Sequence, residues 1–264
     1  MELLRRIARS ILGYDSVLYR AASATYNVAE IARREGPQMA RALNRLARAD
    51  TCPPEPLKLR NLRHPILVRP GTPDIATVIN NIVREEYGQF QSKQQPHNMI
   101  DAGAYIGDTS AYFLSKYPAL KIVALEPDVE NEKIARKNLA PYEGRVHLLN
   151  KALSSSPGIV RIAGAFDGVL ISNSGRVVES TTVIGVMALM GWQHLDILKM
   201  DIEGAEVDVL DQTADSWLPR VDLLILELHG SAIERQVKET LYRNKFKAKK
   251  YRSVWYCSRE QLDA

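Results

Sequence analysis

The tightest constraint on this chain is a rhythm that begins at residue 98. Five short apolar runs, Asn98 to Ala102, Lys121 to Leu125, Val146 to Leu149, Asp196 to Met200 and Val221 to Leu228, are punctuated by helix-length segments with a polar face, namely Thr109 to Tyr117, Val129 to Leu139 and Gly204 to Gln212. Strands that read as continuous apolar runs are buried on both faces, and crossover helices are what bury them. The tail from Phe246 to Cys257 alternates Tyr, Val and Trp and predicts a closing antiparallel pair. The expectation is an α/β fold, doubly wound and Rossmann-like, around a mostly parallel seven-stranded sheet. Ser154 to Thr182, rich in Ser, Gly and β-branched residues, breaks the rhythm and reads as a hairpin or excursion inserted into the sheet plan.

With 264 residues, the chain has room for one such domain and an appendage. The appendage is N-terminal and helical in pattern, with Leu4, Ile7 and Ile11, and later Met39, Leu43 and Leu46, recurring at three- and four-residue steps. Prolines at 53, 54 and 56 end the pattern, so residues 1–56 are expected to form a basic helical extension and 57–264 the main domain. Residues 1–50 hold nine arginines and five acids, a surplus equal to the whole net charge of +4; the other 26 basic and 26 acidic residues cancel. A neutral main domain offers no footprint for duplex phosphates, and no nucleic-acid partner is expected. The arginine-lined extension suits a helical cap or homodimer contact and, as a rival reading, peripheral contact with an anionic membrane surface. Cys52 and Cys257 form no close-spaced pair, and no apolar run approaches the ~20 residues that span a bilayer. A cytoplasmic protein is expected.

Ligands of open α/β sheets bind beyond the carboxyl ends of the strands. After the first strand comes Asp101-Ala102-Gly103-Ala104-Tyr105-Ile106-Gly107-Asp108, where glycines allow close backbone approach and free helix N–H groups favour an anion. After the second comes Glu126, 23 residues past Gly103, placed to accept both hydroxyls of a ribose. The turn lacks the middle glycine of a dinucleotide fingerprint, which disfavours NAD and an oxidoreductase and favours S-adenosylmethionine. Asn150, ending the third strand, is placed to face an adenine edge, though a turn-forming role fits equally. Lys199 and Lys151 read as strand-end lysines with solvated heads. Asp201 and Glu203 after the fourth strand, with Glu227 and His229 at the end of the fifth, would converge on neighbouring loops, as groups that transfer protons or bind metal do.

These residues resemble the FkbM-type methyltransferases, class I S-adenosylmethionine-dependent enzymes that mostly methylate hydroxyl oxygens. The resemblance runs through Leu67 to Asp74, Ile100 to Gly107, Lys121 to Pro127, Ile197 to Glu206 and Leu224 to His229, in order and with consistent spacing over roughly residues 58 to 230. It implies that Asp101, Gly103 and Gly107 frame the methionine part of the cofactor and that Glu126 holds its ribose. It also puts Asp201, Glu203, Glu227 and His229 near the acceptor. Two departures stand out. Tyr105 occupies a position where the family usually carries Asn, and Val183-Ile184-Gly185-Val186 replaces an acidic segment.

Transfer to an alcohol requires that its proton be removed while its oxygen is held in line with the methyl group. His229, oriented by Glu227 or Asp201, is one candidate base; Asp201 acting directly is a second. A third version has Asp201, Glu203 and Glu227 holding Mg²⁺. The acceptor is expected to be a hydroxyl of a small molecule, sugar or lipid-like compound. A non-catalytic S-adenosylmethionine-binding module is the rival in which these acids have no chemical task.

Overall fold

The computed structural model describes residues 28–50, 52–89, 95–228 and 230–259. Residues 28–35 are helical, Gly36 turns the chain at a φ of 95°, and α1 (Pro37–Leu46) restarts on a proline whose missing N–H would have no partner there anyway. α1 buries Ala40, Leu43 and Leu46 in the same cluster as Met99 and Ile122 of the central sheet. β1 (Glu55–Leu57) then pairs antiparallel with β2 (Ile66–Val68), so the division expected at residue 56 falls within a strand. Leu4, Ile7, Ile11 and the arginines between them, on which the membrane and dimer readings rest, lie outside the described residues.

After α2 (Asp74–Val78), which runs on into a π-helical turn, the strand–helix alternation begins. It runs β3 (Asn98–Ala102), α3 (Asp108–Lys116), β4 (Lys121–Leu125), α4 (Val129–Leu139) and β5 (Val146–Leu149). The excursion follows as β6 (Ala152–Leu153), β7 (Gly158–Ala163), β8 (Leu170–Ile171) and β9 (Arg176–Thr181). The chain then returns through α5 (Val183–Met190), β10 (Leu195–Met200), α6 (Glu206–Val209), β11 (Val221–Glu227), α7 (Ser231–Arg243), β12 (Lys247–Tyr251) and β13 (Val254–Ser258). Seven strands form one sheet in the order β12-β13-β11-β10-β3-β4-β5. The five expected strands are parallel, and the tail supplies the antiparallel pair. Alternate residues fill two cores: Met99, Ile197 and Ile225 face one, while Ile100, Leu198 and Leu224 face the other.

β3 and β10 lie side by side at the centre, and the chain leaves them in opposite directions, to β4 and to β11. That divergence opens a crevice at the carboxyl ends, the usual ligand position in such sheets. The register pairs Lys199 with Asp101 and Met200 with Ala102, so the turn after β3 and the loop after β10 leave the sheet together.

The excursion is a separate four-stranded sheet, β6-β9-β7-β8, whose antiparallel β7–β9 hairpin is joined by a parallel β6. The helix expected from Gly204 to Gln212 is shorter than the pattern suggested. Gly204 takes a φ of 98°, outside helical space, and Asp211 caps a new 3₁₀ turn by accepting from the Thr213 N–H at 2.7 Å. No helix among the described residues is long and apolar enough to cross a membrane.

Candidate functional site

The turn after β3 is held from three sides. Gly103 has a φ of 75°, and a Cβ added there would lie 1.8 Å from the backbone oxygen of Asp201, so only glycine lets the two strand tips meet. Gly107, at a φ of 78°, begins α3, where a side chain would press on Leu139 at 3.0 Å. Between them Tyr105 takes a φ of 52°, in the left-handed region that a bulky residue occupies only when its surroundings hold it there. Its N–H donates to Glu126 Oε2 at 2.8 Å, its hydroxyl donates to Asp74, and the Arg69 guanidinium, paired with Asp74 at 2.9 Å, stacks on its ring.

Gly103 and Tyr105 border a cleft at the carboxyl ends of the strands, where ligands of such sheets bind. Of the residues expected to bind cofactor, Gly103, Tyr105 and Glu126 line it. Glu126 also accepts from the Asp128 N–H at 2.9 Å; burial pushes its carboxyl up to about 7, with the two backbone donors opposing the shift. Asp101 lies beneath the turn, fully buried, accepting from the Ser110 hydroxyl at 2.6 Å and facing Lys199 Nζ at 3.2 Å. Asn150 donates its amide to the Glu126 carbonyl at 2.8 Å and is not among the lining residues, nor is Gly107.

Lys199 corrects the sequence reading. Its head is not solvated: it is 2% exposed and donates to the Gly103 carbonyl at 2.7 Å. Burial alone would lower its pKa, but Asp101, Asp201 and Asp108 together outweigh burial and raise it, so it stays charged. A strand between two neighbours and under two layers buries nearly every side chain it carries, a lysine included.

The acids after β10 sort by depth. Asp201 and Glu203 line the cleft, Glu203 at a φ of 53°. Glu206 sets the loop by accepting from the Ile202 N–H at 3.0 Å. Glu227 lies behind, reaching Asp201 through the Tyr87 hydroxyl, which is 3.0 Å from Asp201 Oδ2 and 2.9 Å from Glu227 Oε2. Burial, with the charge of Asp201 adding to it, raises the Glu227 carboxyl. His229 lies outside the described residues. Among the described residues, the three acids of the Mg²⁺ version do not gather one ligand atom each within 4.8 Å; the group that does is His194, Asp196 and Asp222, near the opposite ends of the strands.

Several lining residues carried no signal in the sequence. Asn81, from the π-helical turn, donates to Asp108 at 2.7 Å, and burial pushes Asp108 up to about 6. The outer wall is the β7–β8 hairpin, through Ile162, Phe166, Asp167 and Val169 to Ile171. Phe166 is pinned twice, by Asn131 donating to its carbonyl at 2.7 Å and by Arg69 stacking on its ring at 5.0 Å.

The lining suits a cationic nucleoside cofactor. It holds five acids, Asp108, Glu126, Asp167, Asp201 and Glu203, against two lysines, and both lysines are engaged, Lys199 with Asp101 and Lys151 with Glu179. A sulfonium is favoured by that surplus, and the buried carboxylate of Glu126 keeps lone pairs for ribose hydroxyls.

The chain is similar to several known proteins. Methyltransferase sdnD of Sordaria araneosa is 32% identical over 151 residues, 52% of this chain and 58% of sdnD. AMB antimetabolite synthetase AmbE of Pseudomonas aeruginosa is 23% identical over 175 residues, half of this chain and 8% of AmbE. The chain therefore spans less than two thirds of either relative. Among solved structures, the fibrillarin pre-rRNA processing protein of Methanococcus jannaschii superposes with a TM-score of 0.45 at 10% identity, over 80% of this chain and 84% of that one. A sequence model of the methyltransferase FkbM domain matches residues 101–253, more than half of the chain. The chain belongs to the FkbM methyltransferase family, whose cofactor is S-adenosylmethionine.

Proposed function

We propose that the protein transfers a methyl group from S-adenosylmethionine to a hydroxyl oxygen of a small molecule, sugar or lipid-like acceptor. The observation that carries this reading is the Asp201 carboxylate, which lines the cleft directly beside Gly103 of the cofactor turn. An alcohol is a poor nucleophile unless its proton is taken as the new bond forms, and a carboxylate at the cleft can take it. Glu126 would hold the ribose and the turn at Gly103 the methionine part. The bound cofactor supplies an electrophilic methyl group. Tyr105, Phe166 and Ile162 exclude water from the same space. His229 is the alternative base, two residues beyond Glu227.

The acidic lining also supports a small acceptor over nucleic acid, since five acids facing two engaged lysines would repel a phosphate backbone. Two unpaired cysteines, Cys52 exposed and Cys257 buried, fit a reducing cytoplasm. The test is transfer of isotope-labelled methyl from S-adenosylmethionine to a panel of hydroxylated sugars, phenols and lipids, with RNA as a parallel arm. Label in an alcohol-derived ether supports the reading; label only in RNA or on nitrogen overturns it. Asp201→Asn is expected to lower kcat by ~10²–10⁴-fold, the worth of a positioned base, with the dissociation constant of S-adenosylhomocysteine unchanged.

A further inference from the structure

The Tyr87 hydroxyl stands between two carboxylates, 3.0 Å from Asp201 and 2.9 Å from Glu227, and Tyr87 is 2% exposed. A phenol has one hydrogen to donate. If both carboxylates were ionised, one of these two part-buried contacts would set lone pairs against lone pairs, because the single phenol hydrogen can satisfy only one of them. The phenol itself does not ionise, because burial and the two carboxylates push it well above its ordinary value. One further proton is needed to complete the hydrogen bonds.

We infer that Asp201, Tyr87 and Glu227 form a single proton-sharing unit, with the extra proton on Glu227 donated to the Tyr87 oxygen and the Tyr87 proton donated to Asp201. Tyr87 and Glu227 are then positioning residues: they orient Asp201, the member that lines the cleft, and keep it the acceptor. The groups facing Glu227 act in both directions, with burial and the charges of Asp201 and Glu86 outweighing the hydrogen bonds from Tyr87 and Ser253. From the loop after β10 comes Asp201, and from the segment before β3 come Tyr87 and the buried Glu86. The turn between β12 and β13 gives Ser253, whose hydroxyl lies 2.9 Å from Glu86 and also bonds Glu227, a contact that opposes the rise without cancelling it. Lys199, the nearby cation, lies over the Tyr87 ring at 5.3 Å and bonds Asp101 rather than Glu227.

The direction in which the proton is used rests on the hydroxyl-transfer reading above. As the acceptor's oxygen bonds to the methyl carbon, the electrons of the carbon–sulfur bond leave with sulfur. The acceptor's O–H bond breaks and its proton goes to Asp201. The unit then holds one proton more than at rest and returns it to solvent.

The test is carboxyl NMR of protein with isotope-labelled glutamate, without cofactor or acceptor, so it stands whether or not methyl transfer is found. One high-titrating signal is expected to vanish in Glu227→Gln; Glu126→Gln separates it from the other raised glutamate. Tyr87→Phe decides the proton's place by sign. It lowers the Glu227 pKa if the phenol oxygen accepts from Glu227, and raises it if the phenol donates to an ionised Glu227. An ordinary carboxylate pKa for Glu227, or a rise in Tyr87→Phe, overturns the inference. Should Tyr87→Phe not fold, stability against pH still tests whether the fold holds Glu227 protonated. A group held protonated by the fold stabilises fully below its unfolded pKa and loses that contribution as pH rises through its folded one. The stability difference between Glu227→Gln and the parent is therefore expected to grow in the variant's favour with rising pH; a difference independent of pH overturns the unit.

Discussion

The floor and the wall of the cleft are held by different means. On the floor, the backbone of β3 and β10 is locked in register, Lys199 opposite Asp101, and the turn and loop that follow meet where only glycine fits at 103. The wall comes from the β7–β8 hairpin, which belongs to a different sheet and meets the floor through side chains: Asn131 on the Phe166 carbonyl, Arg69 between the Tyr105 and Phe166 rings, and Arg176 on Asp128. A floor built on paired backbone has no room to adjust. A wall built on a few side-chain pins can lose one and keep its shape.

The largest effect is therefore expected at the floor. Gly103→Ala should weaken S-adenosylhomocysteine binding by on the order of 100-fold or more, because a backbone clash and ~1–3 kcal/mol of left-handed strain act together. Titration calorimetry checks it, and near-parent affinity would mean that the turn has freedom the register denies. Glu126→Gln comes next. Losing charge-assisted hydrogen bonds worth ~1.5–3 kcal/mol should cost roughly 10–100-fold in affinity.

Glu126 also gives the floor a pH signature. Its carboxyl is pushed up to about 7 by burial, and the ionised form is the better acceptor for ribose hydroxyls. Affinity for S-adenosylhomocysteine should therefore rise as pH passes upward through about 7. Stability of the ligand-free protein should move the other way, since a carboxyl whose folded pKa is raised loses its contribution as pH rises through that value. Glu126→Gln should flatten both trends.

The smallest effect is expected at the wall. Phe166→Ala removes one cation–π contact, worth ~0.5–2 kcal/mol, and should weaken S-adenosylhomocysteine by roughly two- to thirtyfold. Hydrogen exchange should rise in the hairpin and stay unchanged in β3 and β10. Exchange spreading into the floor would erase the distinction drawn here.

The same contrast explains what could be read from the chain. The positions of β3, β4 and β5 follow from local runs of apolar residues, and so does the placing of Gly103, Glu126 and Asp201 at strand tips. The excursion was recognisable as a break in that rhythm, but its parallel β6–β9 pairing joins segments nearly thirty residues apart and leaves no local pattern. Lys199 was misjudged by its residue type, although its place in a central strand already required burial. Tyr87 left no trace, because its partners Asp201 and Glu227 lie 114 and 140 residues away. Asn150, legible as a strand-end residue, spends its amide on the Glu126 carbonyl, a contact that no spacing foretells.

The crevice between β3 and β10 is expected to bind S-adenosylmethionine. Thermal unfolding with S-adenosylhomocysteine at ~100 times its dissociation constant tests it most directly, with NAD at the same concentration as the comparison. Binding to the folded state alone should add ~2.7 kcal/mol, a rise of roughly 5–10 °C in Tm for a chain of this size, and Gly103→Ala should cut this to ~0.4 kcal/mol or less. A rise with NAD and none with S-adenosylhomocysteine, or an equal rise in Gly103→Ala, would contradict it.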